Sequence, residues 1–238
     1  MLFDGPIIPG HPRKCMTQEI DNIGAAIIKG VCNPETKDFA VDLGDLELDA
    51  LLGEGVLKEI PYIKFIISLH KSWTAIHDQL FLRKVATFML SSTKFTHEQG
   101  EKFIHDYLQN PEDAKRLSDA IVLILDKLDD MEKPQMVAKA FEALVRNEFG
   151  FETFRRLATA IEIGFLDDLR EFSKSSSNNS PQPVSRFQEH PKLVALNANL
   201  LRTGLVEINR GSGMTAIARV GYKVSELGQI FKKCMNAA

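Results

Sequence analysis

Three side chains with metal-binding chemistry recur at intervals of four residues near the middle of the chain: His97, Glu101 and His105. Imidazole and carboxylate groups bind divalent transition metals, and this spacing places all three on one side of a helix. Side chains at i, i+4 and i+8 lie along the helix instead of converging, so a fourth ligand from another helix would be required. We therefore predict a solvated helix face, with metal binding as the alternative.

No other stretch has a pattern typical of catalysis or of cofactor binding. The stretch RGSGM, at 210–214, is too short for a phosphate-binding loop, and no nucleophile is accompanied by a spaced acid and base. The three cysteines are scattered, which is unlike a disulfide framework or a thiolate metal site and fits a reducing compartment. The sequence therefore predicts a cytoplasmic protein that is not an enzyme and has no cofactor.

The charge is unevenly distributed along the chain. Residues 183–238 carry eight basic and three acidic residues, a net charge of +5, whereas residues 1–182 have a net charge of −8. Such an asymmetry predicts that the basic segment meets an anion, or that the two parts of the chain attract each other. For the first alternative the expected anion is a nucleic acid, and the candidate contacts are Arg202, Arg210, Arg219, Lys223, Lys232 and Lys233.

The basic segment has the pattern of a small α+β module over 186–238. A helix after Pro191 is followed by LVEIN, the turn RGSG and TAIARVGYKV, which alternate as a β-hairpin does, and Ser225 is placed to cap a last helix. The ending YKVSELGQIF resembles the closing half of winged-helix domains. That resemblance implies that the hairpin places Arg210 and Arg219 against a nucleic-acid backbone or minor groove.

The whole chain is predicted to be mainly α, with a helical bundle joined to this winged-helix-like module. Helical periodicity of apolar residues runs over 42–172, whereas 1–41 is weakly patterned. Residues 173–185 are rich in Ser, Asn and Pro, which is the composition of a flexible linker. The alternative is one continuous domain with the hairpin docked on the bundle.

Within the bundle, a helix pair is predicted to occur twice at an offset of 54 residues. Local signals mark helix starts: Thr96 with Gln99 has the capping-box pattern, and Asn110 precedes Pro111 as an N-cap precedes a first-turn proline. A single helix is predicted over 151–172. The positions that match between the pairs are Leu82 with Met136, Ala86 with Ala140, Leu90 with Leu144, Phe95 with Phe149, Glu98 with Glu152 and Phe103 with Leu157.

The two turns of the repeat read STKFTHE and RNEFGFE, and each leads into a helix with a glutamate at its start. In this respect the chain resembles the TerB-like helical fold of tellurite-resistance proteins, over roughly 78–170, which implies repeated helix pairs. The stretch LDALLGEGVLKEIPYIKFIISL, followed by DQLFLRKVATFML, is similar to bacterial helical proteins related to the abortive-infection alpha family. That similarity implies a phage-defence or mobile-element context.

We therefore expect a regulatory or adaptor protein that binds a protein partner through apolar helix faces. The first alternative is a DNA-binding regulator that uses the basic C-terminal wing, and the second is a metal-binding TerB-like protein or an enzyme. The most apolar stretch, IPYIKFIISLHKSW at 60–73, is interrupted by charge and falls short of the roughly 20 apolar residues of a membrane span. Homo-oligomerisation and the identity of the partner stay open.

Overall fold

The computed structural model describes residues 13–43, 60, 62–69, 76–175, 191–210 and 220–237. This part of the chain is mainly helical, with a small two-stranded antiparallel sheet near its C-terminal end. None of the helices described has the length and apolar character needed to cross a membrane. In chain order the elements are α1 (Arg13–Cys32), α2 (Pro34–Leu43), α3 (Ile63–Leu69), α4 (Ile76–Ser91), α5 (His97–Gln109), α6 (Pro111–Lys127), α7 (Lys133–Val145), α8 (Phe151–Ile163), α9 (Leu166–Lys174), α10 (Pro191–Thr203), β1 (Val206–Arg210), β2 (Val220–Val224) and α11 (Glu226–Asn236).

Local signals start three of these helices where the sequence predicts them. The Thr96 hydroxyl accepts a hydrogen bond from the backbone N–H of Gln99, and the Gln99 side chain accepts one from the N–H of Thr96, which completes the capping box of α5. Asn110 caps α6 with Pro111 in its first turn, and Ser225 caps α11. Each cap gives a partner to an N–H group that the helix itself leaves unbonded.

The first described helix already belongs to the hydrophobic core. Ile27 and Val31 of α1 are fully buried. α1 crosses α6 so closely that a Cβ atom on Gly24 would lie 2.4 Å from the carbonyl oxygen of Ser118. The helical core therefore begins well before residue 42, the predicted start of the bundle, because the apolar residues of α1 lie on the face that packs against α6.

The centre of the core is α7, most of whose residues are buried. Phe141 of this helix is fully buried, and its ring meets those of Phe88, Phe103 and Phe154 edge-to-face. The ring centroids lie 5.4, 5.6 and 5.9 Å away, respectively. Because the three partners come from α4, α5 and α8, this aromatic cluster joins all four helices of the predicted repeat.

The helix bounds agree with the predicted offset of 54 residues. α4 ends at Ser91 and α7 at Val145, while α5 spans His97–Gln109 and α8 spans Phe151–Ile163. Phe95 is buried and Phe149 packs against the core from a half-buried position, so both phenylalanines contribute to packing. A common origin of the two pairs stays a prediction.

The single helix predicted over 151–172 is wrong, because the chain breaks after α8. Gly164 and Phe165 are extended, and Leu169 packs beside Gly164 so closely that a Cβ there would lie 2.9 Å from Leu169 Cδ2. A new helix, α9, then begins with two aspartates in its first turn, where negative charge complements the helix dipole. α9 runs to Lys174, into the start of the predicted linker; residues 176–185 lie outside the described part.

The C-terminal elements form the predicted hairpin and last helix. β1 and β2 pair antiparallel, with Val206 opposite Val224 and Ile208 opposite Tyr222. α11 packs against α7 and α9, and its buried Phe231 lies 5.8 Å from the ring centroid of Phe172. Among the described elements, the last helix therefore shares its core with the bundle.

Candidate functional site

The predicted metal-binding face is a row of exposed side chains on α5. His97 Nε2 lies 3.1 Å from Glu101 Oε1, and both side chains are more than half exposed. His105 contacts Asp106 and Gln109 of its own helix instead of turning toward the other two. Within the described ranges, no three or more His, Cys, Asp or Glu side chains come together as a metal site would require. The arrangement is that of a solvated helix surface.

Two of the predicted nucleic-acid contacts, both on α11, have partners in the bundle. Lys232 is only 7% exposed, and its Nζ donates to the carbonyl oxygen of Ser175 at 3.0 Å and to the Ser175 hydroxyl at 2.8 Å. The same ammonium lies 4.6 Å from the ring centroid of Phe172. Lys233 Nζ lies 2.9 Å from Glu148 Oε2. Both lysines therefore hold α11 on the bundle.

Two further predicted contacts are also paired within the chain. Arg202 donates to the carbonyl oxygen of Ile163 at 2.6 Å, and its guanidinium lies 5.7 Å from the ring centroid of Phe165. Lys223 forms an ion pair with Glu207 across the hairpin at 2.7 Å. Arg202 thus binds the C-terminal end of α8, where the helix dipole favours a cation.

The last two predicted contacts are Arg210, which was predicted in the turn RGSG but pairs with Val220 in the sheet, and Arg219. Arg210 ends strand β1, but its side chain is outside what the structure describes, and so is the whole of Arg219. Nucleic-acid binding through these two arginines therefore stays a prediction.

Basic side chains bind helix C-terminal carbonyls throughout the described part of the chain. The last carbonyls of a helix have no partner within it, and a cation there also complements the negative end of the dipole. The bonded residues are far apart in the sequence, so the number of charged residues in a segment does not reveal these hydrogen bonds. They join Lys84 to Asp126 at 2.8 Å, Lys133 to Glu162 at 2.9 Å, Lys139 to Met235 at 3.1 Å and Lys94 to Ala237 at 3.1 Å.

A network of charged groups ties the turns of the two helix pairs to one another and to α11. Glu142 is 2% exposed, and its Oε1 accepts from the backbone N–H of Lys94 at 2.6 Å. Arg146 donates to the carbonyl of Lys94 at 2.5 Å and to Glu148 at 2.8 Å. Burial raises the pKa of Glu142, against the opposing effects of the Lys94 N–H and of Arg146. Hydrogen bonds from Lys233 and Arg146 lower the pKa of Glu148.

The raised pKa of Glu142 predicts how replacing it with glutamine changes stability with pH. The pKa of Glu142 in the folded state lies above the ordinary 4.5. The contribution of this carboxyl to the free energy of unfolding is therefore fully present below about pH 4.5 and is lost as pH rises through the folded-state pKa. Glu142→Gln keeps the oxygen that accepts from Lys94 and removes the buried charge. We expect this variant to be at least as stable as the original chain near neutral pH, with the advantage disappearing below about pH 4.5.

Thermal unfolding of both proteins from acid to neutral pH measures this difference. Glu142→Ala is the matched control, because it also removes the charge but leaves the Lys94 N–H without its acceptor, at a cost of about 1–3 kcal/mol. A glutamine variant that is clearly less stable than the original chain at neutral pH would show that the carboxylate stabilises the fold through Arg146.

Two open grooves border the outer face of α8. One lies between α6 and α8 and has a volume of about 320 Å³. The other lies between α8, α10 and the first turn of α11 and has a volume of about 730 Å³. Arg155 and Thr159 line both grooves, so α8 forms the ridge between them. We call this surface, with its two grooves, the α8 face.

The α8 face combines exposed apolar side chains with arginines that lack an acidic partner. Leu123, on the first groove, is 53% exposed, and Phe165, against which Arg202 of the second groove packs, is 57% exposed. Within the described ranges, neither Arg155 nor Arg156 pairs with a carboxylate; the Arg155 guanidinium lies 6.0 Å from the ring centroid of Phe151. Carboxylates line the same grooves, among them Glu152, Glu162 and Glu226. Arginine and aromatic side chains are enriched in protein interfaces, so this surface is a candidate for recognition of a protein partner.

Sequence analysis did not identify Arg155 and Arg156 as functional candidates. They occupy ordinary polar positions of an amphipathic helix, and nothing in their spacing distinguishes them from other exposed arginines. The grooves that these arginines border form only because α6 and α10 pack on either side of α8. The two arginines are adjacent in the sequence, but adjacency alone does not indicate a function.

Comparison of the chain with protein-family models, with curated proteins and with solved structures found no significant match. The resemblances to TerB-like proteins, to abortive-infection alpha relatives and to winged-helix domains therefore stay predictions. The function has to be inferred from the residues and their geometry.

Proposed function

We propose that the protein is a non-enzymatic regulatory or adaptor protein that binds a protein partner across the α8 face. The observation that carries this proposal is the pair of grooves beside two arginines that have no acidic partner among the described residues. Arginine and aromatic side chains are enriched in protein interfaces, and arginine is among the residues that often carry much of the binding energy. Leu123 and Phe165 would lose exposed apolar surface on binding.

The chemistry of the α8 face favours an acidic amphipathic helix as the bound segment. An amphipathic helix places its apolar side chains into a groove between two helices, at positions spaced by three or four residues. Carboxylates on its flanks would neutralise Arg155 and Arg156, which have no such partner in the described part of the chain. The similarity to abortive-infection alpha relatives supplies the proposed setting, a phage-defence or mobile-element context.

Charge reversal of the two arginines tests the proposal. Cross-linking in the native host, followed by purification and identification of the cross-linked segment, supplies the partner. Arg155→Glu with Arg156→Glu is expected to weaken its binding by about thirtyfold or more, because even one interface arginine of this kind contributes about 2 kcal/mol. Titration calorimetry with the purified partner measures the change.

Lys64→Glu with Lys102→Glu is the matched control for this experiment. Both lysines are exposed, lie outside the two grooves, and give the same change in net charge. This control is expected to bind within about twofold of the original chain, since exposed charges outside an interface act weakly. Equal losses in both double variants, or none in either, would contradict an interface at the α8 face.

The DNA-binding regulator is the alternative, supported by the hairpin and the Ser225-capped helix that follows it. It would be favoured by duplex binding that weakens steeply with salt, is reduced by Arg210→Ala with Arg219→Ala, and is unaffected by the α8 variants. The metal-binding TerB-like protein or enzyme would be favoured by bound metal in purified protein that is lost when His97 and Glu101 are replaced.

A further inference from the structure

A second surface feature, separate from the α8 face, is a pocket between the end of α9 and α11. Its volume is about 640 Å³, within the range of roughly 300–1,000 Å³ typical of small-molecule sites. Among the described residues, three lysines and no acidic residue line the pocket. We call it the lysine pocket, and it is lined by Ser173, Lys174, Ser175, Val224, Gln229, Lys232, Lys233 and Asn236.

Lys232 is a buried cation whose described partners carry no negative charge. It is 7% exposed and donates to two oxygens of Ser175, a carbonyl and a hydroxyl. Lys133, the other strongly buried lysine, is 1% exposed and has the carboxylate of Asp129 at 2.5 Å. Removal of a charge from water is costly without a counter-ion, and the pKa of Lys232 is accordingly lowered by burial. Lys232 therefore has hydrogen-bond acceptors, but among the described residues it has no partner with a negative charge.

We propose that the lysine pocket binds a small phosphate-bearing ligand. A phosphate group carries up to two negative charges and would provide the counter-charge that Lys232 lacks. Lys174 is exposed at the rim, and Lys233 spans from the pocket to Glu148, so further ammonium groups are available to the same anion. Lysine ammonium groups bind phosphate as compact point charges. The pocket volume leaves room for an organic group beside the phosphate.

Such a ligand would bridge two elements that the fold must hold together. Ser175 follows the last turn of α9, whereas Lys232 and Lys233 belong to α11. An anion between them strengthens the contact that already exists through Ser175, and it therefore stabilises the docked position of the C-terminal helix. The pocket shares no lining residue with the two grooves of the α8 face.

Binding of phosphate-bearing probes to the full-length chain tests this inference. Inorganic phosphate and glycerol phosphate are titrated by calorimetry and by thermal unfolding, with chloride and acetate at matched ionic strength as controls. We expect saturable binding of the phosphate probes and a higher midpoint of unfolding in their presence. Tighter binding of glycerol phosphate would indicate an organic phosphate ligand, whereas equal binding would indicate recognition of the phosphate group alone.

Variants of the lining lysines test whether the phosphate probes bind in the lysine pocket. Lys232→Met is expected to weaken phosphate binding by about tenfold or more, because it removes a buried charge-assisted contact. The double variant Lys174→Gln with Lys233→Gln changes the two more exposed lysines and is also expected to weaken phosphate binding by about tenfold or more. It tests the site if Lys232→Met fails to fold. Lys102→Gln, an exposed lysine on α5, should leave binding unchanged. The inference is overturned if chloride stabilises the chain as much as phosphate does, or if the pocket variants bind phosphate as tightly as the original chain.

Discussion

Replacing Phe141 with alanine is expected to lower the free energy of unfolding by about 3–5 kcal/mol. The side chain is fully buried in α7, and its ring contacts the rings of Phe88, Phe103 and Phe154. Truncation removes a large buried apolar surface and three edge-to-face contacts, and it leaves a cavity that four packed helices cannot readily close. Few single changes in this chain should have a larger effect, because the aromatic cluster is the common contact of both helix pairs.

Denaturant unfolding followed by circular dichroism measures the loss. Phe65→Ala is the matched control, since the Phe65 side chain lies half exposed on α3 and its truncation creates no comparable cavity. The control should lose about 1 kcal/mol or less, whereas Phe141→Ala should lose several times more or fail to fold. Similar losses in both variants would mean that Phe141 does not occupy the centre of the core.

The parts of the fold that the sequence predicted correctly are those with local causes. The caps formed by Thr96, Asn110 and Ser225 depend on residues at most three positions away, and all three are confirmed. The two antiparallel strands follow from alternation and are also confirmed, with Val206 opposite Val224, whereas most of the predicted turn lies outside the described residues. A signal contained within one turn or one strand is visible without knowledge of the packing.

The errors arise where tertiary packing decides the structure. The break between α8 and α9 follows Ile163, where Gly164 allows Leu169 to pack against the end of α8. The apolar spacing continues across this break, so periodicity alone predicts one helix. Similarly, the role of α1 depends on its close crossing with α6 at Gly24, which the sequence of α1 does not reveal.

The candidate sites were harder to predict than the fold. The positive charge near the C-terminus is in excess, but the net charge does not reveal which group each basic side chain contacts. Lys139 reaches the carbonyl of Met235, 96 positions later, and Lys232 reaches Ser175, 57 positions earlier. Charge composition therefore indicated two alternatives, and the described contacts decide neither: Lys233 pairs with Glu148, whereas Arg202 and Lys232 bind neutral oxygens.

The position of α11 within the C-terminal module depends on its first turn. The carbonyl of Leu205 accepts a hydrogen bond from the N–H of Ser225 at 3.1 Å. Gly228 lies directly against that carbonyl: a Cβ atom there would be 2.1 Å from Leu205 O and 3.0 Å from Val224 Cγ1. A backbone oxygen held in this way cannot move aside, so any side chain at 228 must displace α11.

Gly228→Ala is therefore expected to loosen the C-terminal helix and to lower the free energy of unfolding by about 3 kcal/mol, at the upper end of the usual cost of overpacking. Displacement of α11 withdraws Phe231 from Phe172 and separates Lys232 from Ser175, so proteolytic cleavage within 173–185 should become faster. Limited proteolysis and thermal unfolding measure the two effects. Gly150→Ala is the matched control, because nothing lies within 4 Å of a Cβ there and its φ of −86° suits alanine. If Gly228→Ala resists cleavage as well as Gly150→Ala does, α11 is not held against the bundle by this contact.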